Sequence, residues 1–377
     1  MSNSDNASLG NSTEFASPFF PVSSGKKASL NTVQRYYLQS LAKELLGNDH
    51  RIGVCMHCLS PVASSVDILK NENNNHAYYR GLMVCGLVWV CPVCAARITE
   101  ERRQELTTAL AKTDLQAILV TYTFKHRRGD NLAVILKQMT DAYRKMKSGK
   151  AWQTLQDEYL WHGSIKSLEV TLGDNGWHPH QHELVLLEST VKRGAIHALS
   201  ADLKAKWLNA LRKVGLDASW DYGLDVRTAG KDVKDYVAKF GHEPIVSGWT
   251  IEMELTKQPV KKGKKDGKSP LQLLSDYGDG DIKAGRMWRE YAYAFKGKKQ
   301  LVWSKGLRDE LGMSPEVDDT AIAESLPDGL LLLASLNPQE WKAIIKADLR
   351  GEVLEAARSM DAVQFKRWLN SKLEDWI

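Results

Sequence analysis

The sequence has no hydrophobic run long enough to cross a lipid bilayer. Its longest apolar stretches, such as residues 330–334, are far shorter than the roughly 20 residues that a membrane-spanning helix needs. The N-terminus is polar and lacks the apolar segment of a secretory signal peptide. These absences predict a soluble cytoplasmic protein with no membrane partner.

The net charge and the number of cysteines are also small. The chain of 377 residues carries 51 basic and 46 acidic side chains, and the net charge of +5 does not by itself indicate a nucleic-acid partner. The five cysteines all lie between Cys55 and Cys94. Because their number is odd and they include two Cys-x-x-Cys pairs, we expect them to bind metal rather than to form disulfides.

The two Cys-x-x-Cys pairs have the ligand spacing of structural zinc, since each turn brings two thiolates to one tetrahedral ion. The predicted Zn²⁺ ligands are Cys55, Cys58, Cys91 and Cys94. Cys85, His57 or His76 could replace one of them. The alternative is that these are reduced cysteines packed in a core. In either case we expect a role in folding or in placing a DNA-binding loop.

A β-hairpin is predicted between residues 163 and 188. Two β-prone runs flank Asn175-Gly176, a pair typical of a type I′ turn. With these two residues as the loop, Glu169 lies across from His182. Side chains alternate along a strand, so His178, His180 and His182 share one face, and Glu169 joins that face from the neighbouring strand.

This face could hold a divalent cation. Residues two apart on a strand are separated by roughly 6.6 Å, so adjacent histidines can converge on one ion, whereas His178 and His182 are too far apart to bind it together. Two imidazoles and a carboxylate would form an open-sided site. The alternative is a polar strand face with solvated histidines.

A predicted helix around Tyr236 carries groups suited to phosphoryl chemistry. Helical spacing places Asp232, Tyr236 and Lys239 along one side. The phenol would be the nucleophile, the lysine would neutralise phosphate charge, and the carboxylate could later activate water. Alone, a helical tyrosine is more often a packing residue; beside a metal site the combination favours catalysis.

Two further stretches could contact DNA. Basic residues that could track a phosphate backbone are Arg127, Arg128, Lys261, Lys262, Lys264 and Lys265. Aromatic and basic residues alternate from Trp288 to Leu311; they could stack on bases or pack as a helix and strand on the core.

The chain therefore divides into six predicted segments. They are a disordered tail (1–30), a helix plus cysteine-rich zinc module (31–110), a catalytic core (111–255), a basic linker (256–282), an aromatic-basic segment for DNA contact (283–312) and a helical C-terminal region (313–377).

Several motifs together resemble a known family. Trp177-His-Pro-His180-Gln-His182 resembles the metal-binding motif of the HUH endonucleases, Tyr236-Val-Ala-Lys239 their nucleophile helix, and Val120-Thr-Tyr-Thr123 their first conserved strand. The cysteine block and the segment from Trp288 to Leu311 resemble flanking regions of plasmid rolling-circle replication initiators. The motifs cover roughly residues 55 to 311 in the expected order.

The resemblance implies an α+β fold, with a central antiparallel sheet and flanking helices, an N-terminal zinc module and a C-terminal helical region. It implies that His180, His182 and Glu169 bind Mg²⁺ or Mn²⁺, and that Tyr236 attacks the scissile phosphate with help from Lys239. Asp232 best matches the acid that activates water at termination, with Asp235 and Glu243 as competitors. Gln181 departs from the bulky apolar residue usual between the histidines, and an Asp stands where Glu is familiar.

The implied function is nicking of one strand at a plasmid origin through a 5′-phosphotyrosine, which leaves a 3′ hydroxyl primer, with strand closure at termination. The implied partners are origin DNA, both double- and single-stranded, host helicase and DNA polymerase; a homodimer is a further option. The alternatives are an HUH transposase or mobilisation relaxase, and a non-catalytic zinc-bearing DNA-binding regulator.

Overall fold

Two antiparallel β-sheets form the framework of the protein. The computed structural model describes residues 31–228 and 267–374. The strands are β1 (Val66–Asn71), β2 (His76–Arg80), β3 (Gln116–Tyr122), β4 (Trp161–Gly173), β5 (Gly176–Leu187), β6 (Leu224–Thr228), β7 (Leu301–Trp303) and β8 (Leu330–Leu336). They pair as a five-stranded sheet in the order β6-β3-β5-β4-β7 and a three-stranded sheet in the order β2-β1-β8.

Helices flank both sheets, which confirms the predicted α+β class. They are α1 (Thr32–Leu46), α2 (Pro92–Ala111), α3 (Leu132–Met146), α4 (Lys150–Glu158), α5 (Arg193–Arg212), α6 (Pro270–Gly278), α7 (Ile282–Ala294), α8 (Leu307–Glu310), α9 (Asp319–Glu324), α10 (Pro338–Lys346), α11 (Arg350–Ser359) and α12 (Ala362–Glu374). Within the described ranges, none of these helices has the length and apolar character that crossing a membrane requires.

The β4–β5 hairpin has a different turn from the predicted one. Gly173 pairs with Gly176, so Asp174 and Asn175 form the turn. Only Gly176 of the Asn-Gly pair has a positive φ, +89°, whereas a type I′ turn needs positive φ at both central residues. The register therefore shifts by two residues, and Glu169 lies across from His180 rather than His182.

Gly176 is required by its surroundings as well as by its φ. A Cβ at this position would lie 2.8 Å from the carbonyl oxygen of Arg127, closer than carbon and oxygen approach without strain. The loop that follows β3 therefore packs directly on the hairpin tip.

Helices α3 and α5 cover one face of the five-stranded sheet. Tyr122 of β3 packs edge-on against Tyr143 of α3 and Trp207 of α5, with ring centroids 5.6 and 5.2 Å apart. Gln181 of β5 is buried on this face, across from Tyr122. Gln181 thus places an amide in this packed layer, and its Nε2 has no hydrogen-bond partner among the described residues.

The opposite face of this sheet changes character along β5. At one end, Leu184 and Leu186 lie in an apolar cluster with Leu106 of α2 and Leu307 of α8. Two residues further toward the hairpin, the same face continues as His182, His180 and His178. Helix α2 therefore covers the apolar half, and the polar half is the candidate site.

The C-terminal region is not wholly helical, contrary to the prediction. Strand β8 pairs antiparallel with β1 and extends the sheet formed by β1 and β2, a sheet that the sequence analysis did not predict. Helix α11 contacts α1, β1 and β2. The cysteine-rich segment and the C-terminal region therefore share one packed unit.

Parts of the predicted linker and of the predicted aromatic-basic segment pack in the core. Residues 270–278 of the linker form helix α6. The aromatic rings of Trp288, Tyr291 and Phe295 are buried. These three residues therefore pack on the core and are not free to stack on DNA bases, whereas Tyr293 is exposed.

A buried ion pair lies between the five-stranded sheet and the helices that cover it. Glu183 of β5 is fully buried and accepts hydrogen bonds from Tyr122 (2.9 Å), Tyr143 (2.7 Å) and the Lys147 ammonium. Lys147 also lies over the ring of Trp152, 4.9 Å from its centroid. Burial raises the pKa of Glu183, but attraction to Lys147 and the hydrogen bonds outweigh it and lower the net pKa.

We expect Lys147→Met to lower the free energy of unfolding by about 3–5 kcal/mol, because it leaves a buried carboxylate without its counter-ion. Lys137→Met, which removes a lysine from an exposed pair with Asp141, should cost less than about 1 kcal/mol. Urea denaturation measures both.

Since the pKa of Glu183 is lowered, the stabilisation that its carboxylate contributes is complete above the unfolded-state pKa of about 4.3 and is lost as the pH falls below that value. Equal losses in the two variants would contradict the assignment.

Candidate functional site

Three histidines line the polar half of β5. His178, His180 and His182 alternate with residues that face the helices, and their rings are stacked or tilted along the strand. The centroids of His178 and His180 are 4.0 Å apart, and those of His180 and His182 are 6.2 Å apart. The prediction that they share a face with Glu169 is confirmed, because Glu169 pairs directly with His180.

His182 is held through both ring nitrogens. Its Nε2 lies 2.9 Å from Oε2 of Glu169, and its Nδ1 lies 3.1 Å from Oγ1 of Thr121. Thr121 is directly opposite on β3, and Glu169 reaches across the diagonal from β4. Both His182 and Glu169 are buried. The imidazole orientation is therefore fixed by two neighbouring strands.

His178 is held by the loop after β3. Its Nε2 lies 3.1 Å from Oγ1 of Thr123, and its ring stacks on His126 with centroids 4.4 Å apart. Nδ1 of His126 in turn lies 3.0 Å from the carbonyl oxygen of Asn175 at the hairpin tip. Burial, together with the neighbouring His126, lowers the pKa of His178 to about 4, so His178 is neutral near pH 7.

The carboxylate and two imidazoles at this site could hold a divalent cation. Two ligands bound to one Mg²⁺ at right angles, each about 2.1 Å from the ion, lie about 3.0 Å apart, and the Glu169 and His182 atoms are 2.9 Å apart. His180 adds a third donor from the same face. The three donor atoms do not gather within 4.8 Å of one another among the described residues, so His180 would have to turn toward the Glu169–His182 pair.

Two predicted phosphate contacts lie beside this row of histidines. Arg127 and Arg128 are exposed in the loop that packs on the hairpin tip, directly after His126. The other predicted catalytic and basic residues lie outside the described residues: Asp232, Asp235, Tyr236, Lys239, Glu243, Lys261, Lys262, Lys264 and Lys265.

A second candidate metal site is formed by four cysteines. The sulfurs of Cys55, Cys85, Cys91 and Cys94 are buried and lie within 4.8 Å of one another. The individual distances are 3.8 Å from Cys55 to Cys91, 3.5 Å from Cys55 to Cys94 and 3.7 Å from Cys85 to Cys94. A tetrahedral ion with Zn–S bonds of about 2.3 Å places its sulfurs about 3.8 Å apart. The cluster can therefore bind a metal such as zinc.

One of the predicted cysteine ligands is wrong. Cys58 is exposed and lies outside the cluster, and Cys85, the alternative, takes its place. The backbone explains the exchange: residue 56 has φ +53°, and Met56 and Cys58 form backbone hydrogen bonds with Met83. This short ladder brings Cys85 beside Cys55, whereas the side chain of Cys58 points to solvent.

A family model described as "Replication protein" (Rep_1) matches residues 83–319, more than half of the chain. The chain belongs to this family of replication proteins. The matched region contains three of the four clustered cysteines and the whole five-stranded sheet, so both candidate sites fall within or against it.

Two curated proteins from Streptomyces are similar to this replication protein. A "Protein rep" of Streptomyces lividans is 28% identical over 353 residues, which cover 74% of this chain and 76% of that protein. A "Neomycin resistance protein" of Streptomyces cyanogenus is 30% identical over 135 residues, and the match spans 28% of this chain and only 31% of that protein. No solved structure matches.

Three residues that contact the histidine row were not predicted as site residues: Thr121, Thr123 and His126. Thr121 and Thr123 are two apart in Val120-Thr-Tyr-Thr123, so alternation places both on one face of the sheet. Their contacts with His182 and His178 depend on β3 pairing with β5, a long-range contact that local sequence does not determine.

We expect the purified replication protein to contain about one zinc per chain by elemental analysis. Cys85→Ser should lower the zinc content strongly, because it removes one of four thiolates. Cys58→Ser, a matched substitution of the exposed cysteine, should leave it unchanged. Zinc loss in Cys58→Ser but not in Cys85→Ser would restore the two Cys-x-x-Cys pairs as the ligand set.

Proposed function

We propose that this replication protein initiates plasmid replication by nicking one strand of origin DNA through a covalent 5′-phosphotyrosine. The observation that best supports the proposal is the fixed position of His182, which is held between Glu169 and Thr121 on the polar half of β5, with His180 beside it. If this were only a polar strand face with solvated histidines, His182 would be exposed to solvent and would not be held by two neighbouring strands.

In this proposal, His180, His182 and Glu169 hold Mg²⁺ or Mn²⁺, which when bound polarises a phosphoryl oxygen of the DNA. Thr121 acts as a positioning residue, because it fixes the ring of His182 through the other nitrogen. The polar half of β5 thus serves as the surface where the scissile phosphate is placed.

The phenol oxygen of Tyr236 would then attack the scissile phosphorus and give up its proton to solvent. The bond from phosphorus to the 3′ oxygen would break and that oxygen would take up a proton from solvent, so the departing strand ends in a 3′ hydroxyl and the 5′ phosphate stays on the tyrosine. Lys239 would neutralise charge on the phosphate. At termination, Asp232 would accept a proton from the water that releases the DNA.

Arg127 and Arg128 would contact DNA phosphates near the histidine row, together with Lys261, Lys262, Lys264 and Lys265. Such contacts position the strand without reading its sequence. The 3′ hydroxyl would prime synthesis by host polymerase, with a host helicase separating the strands.

One observation favours a second candidate function, a non-catalytic zinc-bearing DNA-binding regulator. The four cysteine sulfurs already have the spacing of a bound ion, whereas the three predicted ligands of the histidine site do not. In a regulator, the cysteines would be essential, and His182 and Tyr236 would be dispensable.

The test is a cleavage assay on supercoiled DNA that carries the origin, with Mn²⁺ or Mg²⁺ and denaturing gels to detect a protein–DNA adduct. We expect an adduct with wild type and none with Tyr236→Phe, which lacks the nucleophilic oxygen. His182→Ala should also fail to form one. His197→Ala removes an exposed histidine of α5 and should retain full activity.

The outcomes separate the two functions. An adduct with Tyr236→Phe would show that another residue is the nucleophile. Origin binding without cleavage by any preparation, including wild type, would favour the regulator.

A further inference from the structure

Arg350 is a buried cation at the junction of the C-terminal region and the cysteine-rich segment. It is the first residue of α11 and is 1% exposed. Its Nη1 donates to Oε1 of Gln39 (2.8 Å) and to the carbonyl oxygen of Met56 (3.2 Å), and its Nη2 donates to Oγ of Ser40 (2.8 Å). Every one of these acceptors is uncharged.

The carboxylate that pairs with Arg350 is distant and half-exposed, so it screens this charge only weakly. Among the described residues, Asp348 is the acidic side chain within 4.0 Å of the guanidinium; it lies 3.6 Å away and is 50% exposed. Arg102, another buried arginine at 4% exposure, has Glu105 at 3.0 Å and Asp319 at 2.8 Å. A buried charge without a close counter-ion costs several kcal/mol.

Gln39 connects Arg350 to the cysteine cluster, a buried group that can supply negative charge. Gln39 accepts from Arg350 with Oε1 and donates from Nε2 to Sγ of Cys91, at 3.1 Å. Cysteines that bind a metal are deprotonated, so four thiolates around one divalent ion carry a net charge of about −2. Gln39 thus links a buried cation to a site that becomes an anion when it is loaded.

We propose that Arg350 is the counter-ion of the metal-loaded cysteine cluster, acting through Gln39, so that metal binding and docking of the C-terminal region stabilise each other. The proposal rests on metal binding by the cluster and is independent of the nicking chemistry. It gives the C-terminal region a specific partner within the chain.

Other contacts place this link at the docking surface. The Tyr79 hydroxyl of β2 donates to the backbone carbonyl of Arg350 (2.8 Å), and Nε1 of Trp341 in α10 donates to the carbonyl of His57 (2.8 Å). Because coupling between two equilibria is reciprocal, removal of the metal should loosen these contacts, and loss of the Arg350 charge should loosen the metal.

The first experiment measures zinc release from the full-length protein to a chromogenic chelator. Removing a partner of a metal ligand typically weakens metal affinity about 10–100-fold, and we expect Arg350→Met to show this weakening as zinc release faster by about the same factor. Arg350→Lys, which keeps the charge, should lie closer to wild type. Arg102→Met, the matched loss of a buried arginine that has its own carboxylates, should release zinc at the wild-type rate.

A second measurement separates the electrostatic role from simple packing. Thermal unfolding of wild type, Arg350→Met and Arg102→Met is compared with zinc bound and after zinc is stripped. We expect Arg350→Met to lower the Tm much more with zinc bound than without it, because the anion is present only in the loaded form. Arg102→Met should lower both by the same amount. An equal loss in both states for Arg350→Met, or an unchanged rate of zinc release, would overturn the proposal.

Gln39→Leu provides a test if Arg350→Met does not fold. It removes the amide donor to Cys91 and leaves the arginine in place. In protein loaded with Co²⁺, we expect the thiolate-to-cobalt charge-transfer band to move to longer wavelength, because the thiolate loses a hydrogen bond. An unmoved band would show that Gln39 does not act on the cluster.

Discussion

Successive side chains of β5 point to opposite faces of the five-stranded sheet, and this alternation separates a buried ion pair from the row of histidines. On one face, Glu183 is buried with Lys147 and two tyrosines, an arrangement that fixes the strand against the helices. On the other, His182 is held by Glu169 and Thr121. Because the two faces belong to one strand, the buried ion pair also holds the histidines in place.

The cysteine cluster lies where several segments of the chain meet. It joins α1 through Gln39, the start of α2 through Cys91 and Cys94, and the C-terminal region through Arg350. Strand β8 then completes the small sheet. Residues far apart in sequence therefore meet around one centre, which is how a single ion could affect the stability of the whole unit.

Much of the candidate site could be predicted from local pattern. The alternating histidines, the carboxylate on the neighbouring strand and the clustering of cysteines all follow from spacing along the chain. The hairpin register was wrong by two residues, because Gly176 alone takes a positive φ. Because side chains alternate between the two faces of the sheet, a shift of two residues leaves Glu169 on the predicted face.

The remaining errors concern contacts between distant segments. Cys58 and Cys85 could not be ranked from spacing, because the choice depends on the backbone pairing of Met56 and Cys58 with Met83. The pairing of β1 with β8 joins residues more than 250 positions apart, and no local pattern in either strand specifies its partner. Buried Arg350 could not be distinguished from an ordinary exposed arginine.

The proposed nicking chemistry requires the polar half of β5 to bind a divalent cation. The most direct measurement is anomalous diffraction from crystals of the full-length protein grown with Mn²⁺. We predict an anomalous peak within about 2.3 Å of Glu169 and His182, with His180 turned to complete the site. A structure in which Mn²⁺ binds elsewhere, while the Glu169–His182 hydrogen bond persists unchanged, would rule out this metal site.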